Sequence, residues 1–150
     1  MATTYSDLAT AQYAADGNAS QRLENSQLSA GNLYLAEARL TCADIAAAND
    51  IVELVYLPEG ARVIPHLCKI TADNPGTELT VQIGDGANPD LYSGTVDITA
   101  GGVFDFAGGD AAVDGYVTTA HDSVDLKAIA VDTLTDASDI TVLIAYTLKN

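Results

Sequence analysis

The chain has 150 residues, of which 48% are hydrophobic and 18% charged, and this composition excludes a wholly disordered polypeptide. Twenty-one acidic residues stand against six scattered basic ones, a formal net charge of −15, which argues against nucleic acid as a partner. No apolar run approaches the roughly 18 residues that a membrane-spanning helix needs. The opening MATTYSDLATAQ lacks a basic residue followed by an apolar stretch, so we expect no secretory signal.

The first 31 residues differ in composition from the rest of the chain. They are rich in Ala, Ser, Thr, Asn and Gln and almost lack branched aliphatic residues. Ser6 is a candidate cap for a short helix over residues 8–15. The remainder has no apolar face that could hold it on a core, so we predict an N-terminal arm over 1–31 that is loosely ordered alone or ordered by a partner. A frayed terminus with no role is the alternative. A β domain is predicted over 32–150.

Short apolar runs separated by turn residues begin at Asn32. In residues 78–83, apolar and polar side chains alternate, which predicts a half-buried strand. Pro65 predicts an edge or a bulge in its strand. The last run, ITVLIAYTL, is apolar at nearly every position, as expected of a central strand packed on both faces. The predicted strands are 33–41, 51–57, 61–71, 78–83, 91–98, 103–106, 113–118, 124–131 and 140–148.

This succession of about eight short strands predicts an all-β fold. Turns recur every several residues, and no sustained helical period and no β-α-β alternation is present. We therefore predict a jelly-roll-like β-sandwich of about eight strands with an extended N-terminal arm. An immunoglobulin-like sandwich is the alternative.

Two motifs resemble chemical sites but are more simply explained as turns. His121-Asp122-Ser123 has the residue types of a hydrolase triad, yet adjacent residues do not usually converge on one substrate atom, so we predict a turn before the next strand. The loop 84–90, GDGANPD, has oxygens that could bind calcium at Asp85, Asn88 and Asp90. Turn formation accounts for all three residues.

The remaining reactive residues also predict no catalytic site. Cys42 and Cys68 match no zinc spacing and are interpreted as two reduced thiols serving as small apolar residues, with a disulfide between neighbouring strands as the alternative. His66 alternates with Ile64 and Cys68, which predicts that it lies on a buried or interfacial face. We therefore expect no enzyme, no cofactor and no metal.

Several phrases of the sequence resemble a group of small phage proteins. In order they are LYLAEARLT, LPEGARVI, LTVQIGDGANPDLY, a Gly-rich break before VFDF, and the closing ITVLIAYTL, with MATTYS at the start. The chain resembles bacteriophage capsid decoration or cement proteins, which are encoded beside the major capsid protein. The resemblance implies a jelly-roll-like fold and a homodimer or homotrimer on the capsid surface of the virion. It also implies the major capsid protein as partner, no catalysis and no membrane.

The resulting hypothesis is a structural protein that decorates and stabilises the capsid exterior by binding across neighbouring major capsid subunits. Aromatic and Arg side chains are the usual anchors of interfaces, so contacts are expected at Tyr5, Tyr13, Arg22 and Tyr34. The alternative hypothesis is a receptor- or glycan-binding module of a head fibre or tail. It predicts a ligand pocket lined by tyrosines around the 85–92 and 108–122 loops.

Overall fold

The computed structural model describes residues 3–5 (backbone only), 33–110 and 116–148. The predicted helix at 8–15 and the proposed contacts Tyr13 and Arg22 lie outside the described residues. The strands are β1 Thr3–Tyr5, β2 Leu33–Thr41, β3 Ile51–Leu57, β4 Ala61–Val63, β5 Lys69–Ala72, β6 Gly76–Gly84, β7 Ser93–Asp97, β8 Gly102–Asp105, β9 Asp122–Leu134 and β10 Asp139–Leu148. Two 3-10 turns, Cys42–Asp44 and Pro65–Leu67, connect them. Within the described ranges, no helix is long and apolar enough to cross a membrane.

The strands form a sandwich of two sheets. Sheet A has the order β1-β3-β9-β6-β7, and sheet B has the order β2-β10-β5-β8, with β4 also paired to β10. The β1–β3 pair is parallel, and every other pair is antiparallel.

The strand order is that of a jelly roll. The strands β4 and β5 both pair with β10, so they occupy one strand position that is interrupted by the Pro65–Leu67 turn. If β1 is left out and β4 and β5 are counted as one strand, eight strand positions remain, which we number in chain order. Neighbouring positions in sheet B are then 1-8-3-6, and those in sheet A are 2-7-4-5. First pairs with last, second with seventh, third with sixth and fourth with fifth, as when one long hairpin is rolled into a sandwich. The predicted all-β jelly-roll-like sandwich is confirmed.

The predicted strand at 61–71 is broken by its proline. Pro65 begins a 3-10 turn, and its missing N–H cannot join the ladder on β10. The turn also disrupts the alternation of Ile64, His66 and Cys68. His66 is therefore exposed, which excludes the buried alternative for it, and an interfacial position stays a prediction.

Of the predicted strand 113–118, the structure describes residues 116–118, and these do not form a strand. Instead, Thr118 holds the turn between β3 and β4. Its N–H donates to the Ala61 carbonyl at 2.9 Å, and its carbonyl accepts the Gly60 N–H at 2.9 Å. Its buried hydroxyl donates to the Pro58 carbonyl at 2.7 Å and accepts the Ala61 N–H at 2.9 Å.

Replacing Thr118 with Val is expected to lower the free energy of unfolding by about 1–2 kcal/mol, because the side chain keeps its shape but loses both hydroxyl hydrogen bonds in a buried setting. Urea unfolding measures the change. Thr118→Ser, which retains the hydroxyl, is the matched control. A Val variant as stable as the native protein would contradict this role of the hydroxyl.

The core lies between the two sheets and contains both cysteines. Cys42 and Cys68 are buried and free. The Cys68 thiol accepts the Ala145 N–H at 3.3 Å, and burial raises the pKa of Cys68 to about 11, so the thiol stays protonated at neutral pH. This environment agrees with the interpretation of small apolar residues.

Candidate contact surface

One end of the sandwich gathers residues that are far apart in the sequence. Leu33 pairs with Thr147 in sheet B, and Leu57 pairs with Asp122 in sheet A. The short turn 58–60 then leads from sheet A into β4, so β2 begins at the same end where β3 finishes. The loop 85–92 and residues 116–121 reach this end as well. We call it the Leu33 end.

Exposed leucines mark sheet B at this end. Leu33 is 42% exposed and Leu35 is 63% exposed, on the outer face of β2. In the part of the chain that is described, β2 pairs on one side only, with β10, and so forms a nine-residue edge. A long edge strand with large apolar side chains is a feature that proteins normally cover. Leu33 and Leu35 are therefore candidate contact residues.

Among the described residues, three aromatic pairs lie at the Leu33 end. Tyr34 stacks on Tyr146 with ring centroids 5.3 Å apart and an angle of 25° between planes, and both rings are half-buried. The Tyr56 and His121 rings meet edge to face at 6.0 Å. The third pair, Tyr92 and Tyr116, has centroids 6.3 Å apart. Because Tyr92 is only 2% exposed, it offers no free ring face for a sugar, unlike the pocket predicted for glycan binding.

Of the four residues predicted as contacts, the structure describes Tyr5 and Tyr34, and these two lie in different sheets. Tyr5 ends β1 opposite Glu53 in sheet A, whereas Tyr34 lies in sheet B. Tyr13 and Arg22 lie outside the described residues. The exposed side chains next to Tyr34 are instead those of Leu33 and Leu35. The alternation of exposed and covered positions along LYLAEARLT could have indicated them, once the outward face was known.

The second feature of this end is a group of carboxylates on sheet A. Asp85 is buried, and its Oδ1 accepts the N–H groups of Ala87 at 2.8 Å and Asn88 at 2.5 Å, as expected of an Asp side chain that stabilises a turn. Gly84, the residue before it, pairs with Asp125 on β9. Asp85 and Asp125 both line a cavity of about 240 Å³, which we call the carboxylate pocket. Its wall consists of Ile51, Asp85, Gly86, Ala87, Pro89, Asp125 and Lys127.

Asp125 is the most perturbed of these acids. It is 5% exposed, and its Oδ1 has no hydrogen-bond partner. The pKa of Asp125 is raised to about 6, mainly by burial. The charges of Glu53, Asp122 and Asp85 also raise this pKa, whereas a hydrogen bond with the Ser123 side chain lowers it. Sequence reasoning missed Asp125, because a single acid within the apolar segment 124–128 resembles an ordinary outward-facing strand residue.

The pKa of Tyr92 is also raised, mainly by burial, and its hydroxyl has no hydrogen-bond partner either. Burial raises the pKa of Asp122 as well. The outer part of sheet A at the Leu33 end therefore holds negative charge in a partly desolvated setting, where each carboxylate makes its neighbours harder to ionise.

Asp125 should make the protein more stable in mild acid. Its folded pKa of about 6 lies above the unfolded value of about 3.9, so the folded state binds the proton more tightly. The Asp125 contribution to the free energy of unfolding should fall as the pH rises from about 4 to 6, and stay lower above pH 6. Asp125→Asn is expected to remove this pH dependence and to raise the free energy of unfolding at pH 7.5 by about 1–2 kcal/mol. This value is lower than the full pKa shift implies, because water near the pocket screens the charge.

Urea unfolding between pH 4 and pH 8 measures this difference. Asp132→Asn, which removes the same charge at an exposed position on the same strand, is the matched control. The explanation is wrong if native and Asp125→Asn proteins lose stability in parallel between pH 4 and pH 6.

The structure does not arrange a hydrolase triad at 121–123. Asp122 and Ser123 already belong to β9, where a turn was expected, and His121 packs against Tyr56. The Asp122 Oδ1 accepts the Ser123 N–H at 2.9 Å. Among the residues that the structure describes, no group of three or more His, Cys, Asp or Glu side chains could hold a metal ion.

Solved structures with a similar fold include chains of phage capsids. A chain in the capsid of Ralstonia phage GP4 matches with a TM-score of 0.71 and 19% identity, over 99% of both chains. This protein has the fold of phage capsid chains. A chain in the acidic stable capsid of Helicobacter pylori bacteriophage KHP30 gives a TM-score of 0.53 at 22% identity, and a chain in the cyanophage Pam1 capsid asymmetric unit gives 0.56 at 16%.

The KHP30 and Pam1 matches each cover 79% of this chain, and they cover 89% and 86% of the other chains. No protein-family model matches the sequence, and no curated protein does either. The similarity is therefore one of fold, spread over almost the whole length in the GP4 comparison.

Proposed function

We propose that this protein decorates a phage capsid and stabilises it from the outside by binding across neighbouring major capsid subunits. The observation that carries the proposal is the GP4 match, which extends over 99% of both chains. The exposed edge at Leu33 and Leu35 supplies an apolar surface suited to such a contact.

The physical properties of the chain suit this role. A closed shell repeats every contact many times, so a modest interface per copy adds up to a large stabilisation of the whole particle. The net charge of −15 keeps free copies from associating non-specifically before they reach the shell. We expect the bound form to be a homodimer or a homotrimer.

Co-sedimentation of the purified protein with undecorated heads of the cognate phage tests the proposal. We expect saturable binding at a fixed ratio to the major capsid protein, and no further binding to heads that already carry the protein. Removal of residues 1–31 separates the two regions of the chain. Weakened binding would assign part of the interface to the predicted arm, and unchanged binding would assign it to the β domain.

Absence of binding to undecorated heads would contradict the decoration role. Glycan arrays and binding to isolated tails would then test the alternative, a receptor- or glycan-binding module.

A further inference from the structure

The carboxylate pocket contains a buried acceptor without a donor. The Oδ1 of Asp125 has no hydrogen-bond partner although the residue is 5% exposed. Buried polar atoms are nearly always paired, because an unpaired one loses its hydration without compensation. An unpaired carboxylate oxygen at the wall of an open cavity therefore indicates that another molecule supplies the hydrogen-bond donor.

The pocket has the shape and chemistry for a long cationic side chain. Ile51, Ala87 and Pro89 provide apolar wall, and Asp85 and Asp125 provide the carboxylates. Lysine and arginine combine an aliphatic stem, which packs on apolar surface, with a charged head that donates several hydrogen bonds. A hydrogen bond between such a head and a carboxylate is among the stronger kinds in proteins.

The protein's own cation does not fill this role. Lys127 lines the pocket, but in the described part of the chain it makes no ion pair with Asp85 or Asp125. Its single positive charge does not balance the four acids in this region, which are Asp85, Asp125, Glu53 and Asp122. The last two also interact electrostatically with Asp125. The pocket keeps a net negative potential that attracts a further cation.

We propose that the carboxylate pocket receives a lysine or arginine side chain of the major capsid protein. This inference rests on the proposed function and specifies the partner chemistry at one contact. The pocket lies on sheet A and extends from Asp125 to Ile51 at the start of β3, so it is a second contact, apart from the exposed leucines of sheet B. The incoming head group supplies the donor that Asp125 lacks, and the stem covers the apolar wall.

The test compares Asp125→Asn with Asp132→Asn in co-sedimentation with undecorated heads at pH 7.5. Both variants remove one negative charge from β9, but Asp132 is exposed at the opposite end of the strand. We expect Asp125→Asn to weaken binding about tenfold or more, since it replaces a charged hydrogen-bond partner, and Asp132→Asn to bind within twofold of the native protein. Asp125→Asn should remain folded, so misfolding would not explain the loss.

Three results would overturn the proposal. Equal affinities of the native protein and Asp125→Asn would show that the pocket is not part of the contact, while leaving decoration intact. No binding by the native protein would refute the decoration role and this contact with it. Millimolar calcium chloride that raises the melting temperature of the native protein, but not of Asp125→Asn, would identify the pocket as a metal site instead.

Discussion

Replacing Gly84 with alanine is expected to lower the free energy of unfolding by about 3 kcal/mol. A Cβ at this position would overlap the Asn88 carbonyl oxygen and the Pro89 carbonyl carbon. Both are backbone atoms, so no side-chain rotation can relieve the overlap. The Asn88 oxygen also accepts the N–H groups of Asp85 at 3.0 Å and Leu91 at 3.2 Å, and moving it would strain both bonds.

Gly86 is the matched control for Gly84, two residues further on in the loop that follows β6. The nearest atom to a Cβ there is an Asp125 carboxylate oxygen at 3.7 Å, an ordinary contact. Gly86→Ala should therefore change the free energy of unfolding by no more than about 0.5 kcal/mol. Urea unfolding of both variants measures the contrast. Equal stabilities would mean that the loop does not approach Gly84 as closely as described.

Replacing Leu35 with glutamate is expected to weaken binding to undecorated heads about tenfold to a hundredfold, while the free energy of unfolding changes little. Covering a leucine side chain contributes about 1.5–3 kcal/mol, and 1.4 kcal/mol corresponds to a factor of ten in affinity. Leu35 is 63% exposed in the free protein, so the substitution removes little packing within the fold. Titrated co-sedimentation gives the affinity.

Val103→Glu is the control for the Leu35 substitution. Val103 is 68% exposed on β8, at the other edge of sheet B, and the variant adds the same charge. Its affinity should match that of the native protein. If both variants bind equally well, the Leu33 end is not the contact surface. If both lose affinity equally, the added negative charge is responsible and not the position.

Local patterns in the sequence were sufficient to predict most of the strands. The runs at 33–41 and 51–57 match β2 and β3 at both ends, and β10 lies between β2 and β5 as a central strand. These segments succeed because alternation and β-branched content act within one strand. The sequence alone failed at 61–71 and 116–118. In the first, Pro65 ended the ladder, and in the second, Thr118 formed tertiary hydrogen bonds in place of a strand.

The candidate contact surface could be predicted only in part. The start of β2 was indicated by Tyr34, but the exposed leucines beside it depend on which face of sheet B turns outward. The carboxylate pocket was not predicted, because Asp85 and Asp125 are 40 positions apart and meet only through the β6–β9 pairing. Composition and spacing carry no information about such long-range convergence, whereas strand order determines it.

Electron cryomicroscopy of heads reconstituted with the purified protein tests the central claim most directly. We expect jelly-roll density on the outer surface of the shell across a seam between major capsid subunits, with the Leu33 end against the shell. Density for the chain inside the shell, or only at the tail vertex, would contradict it.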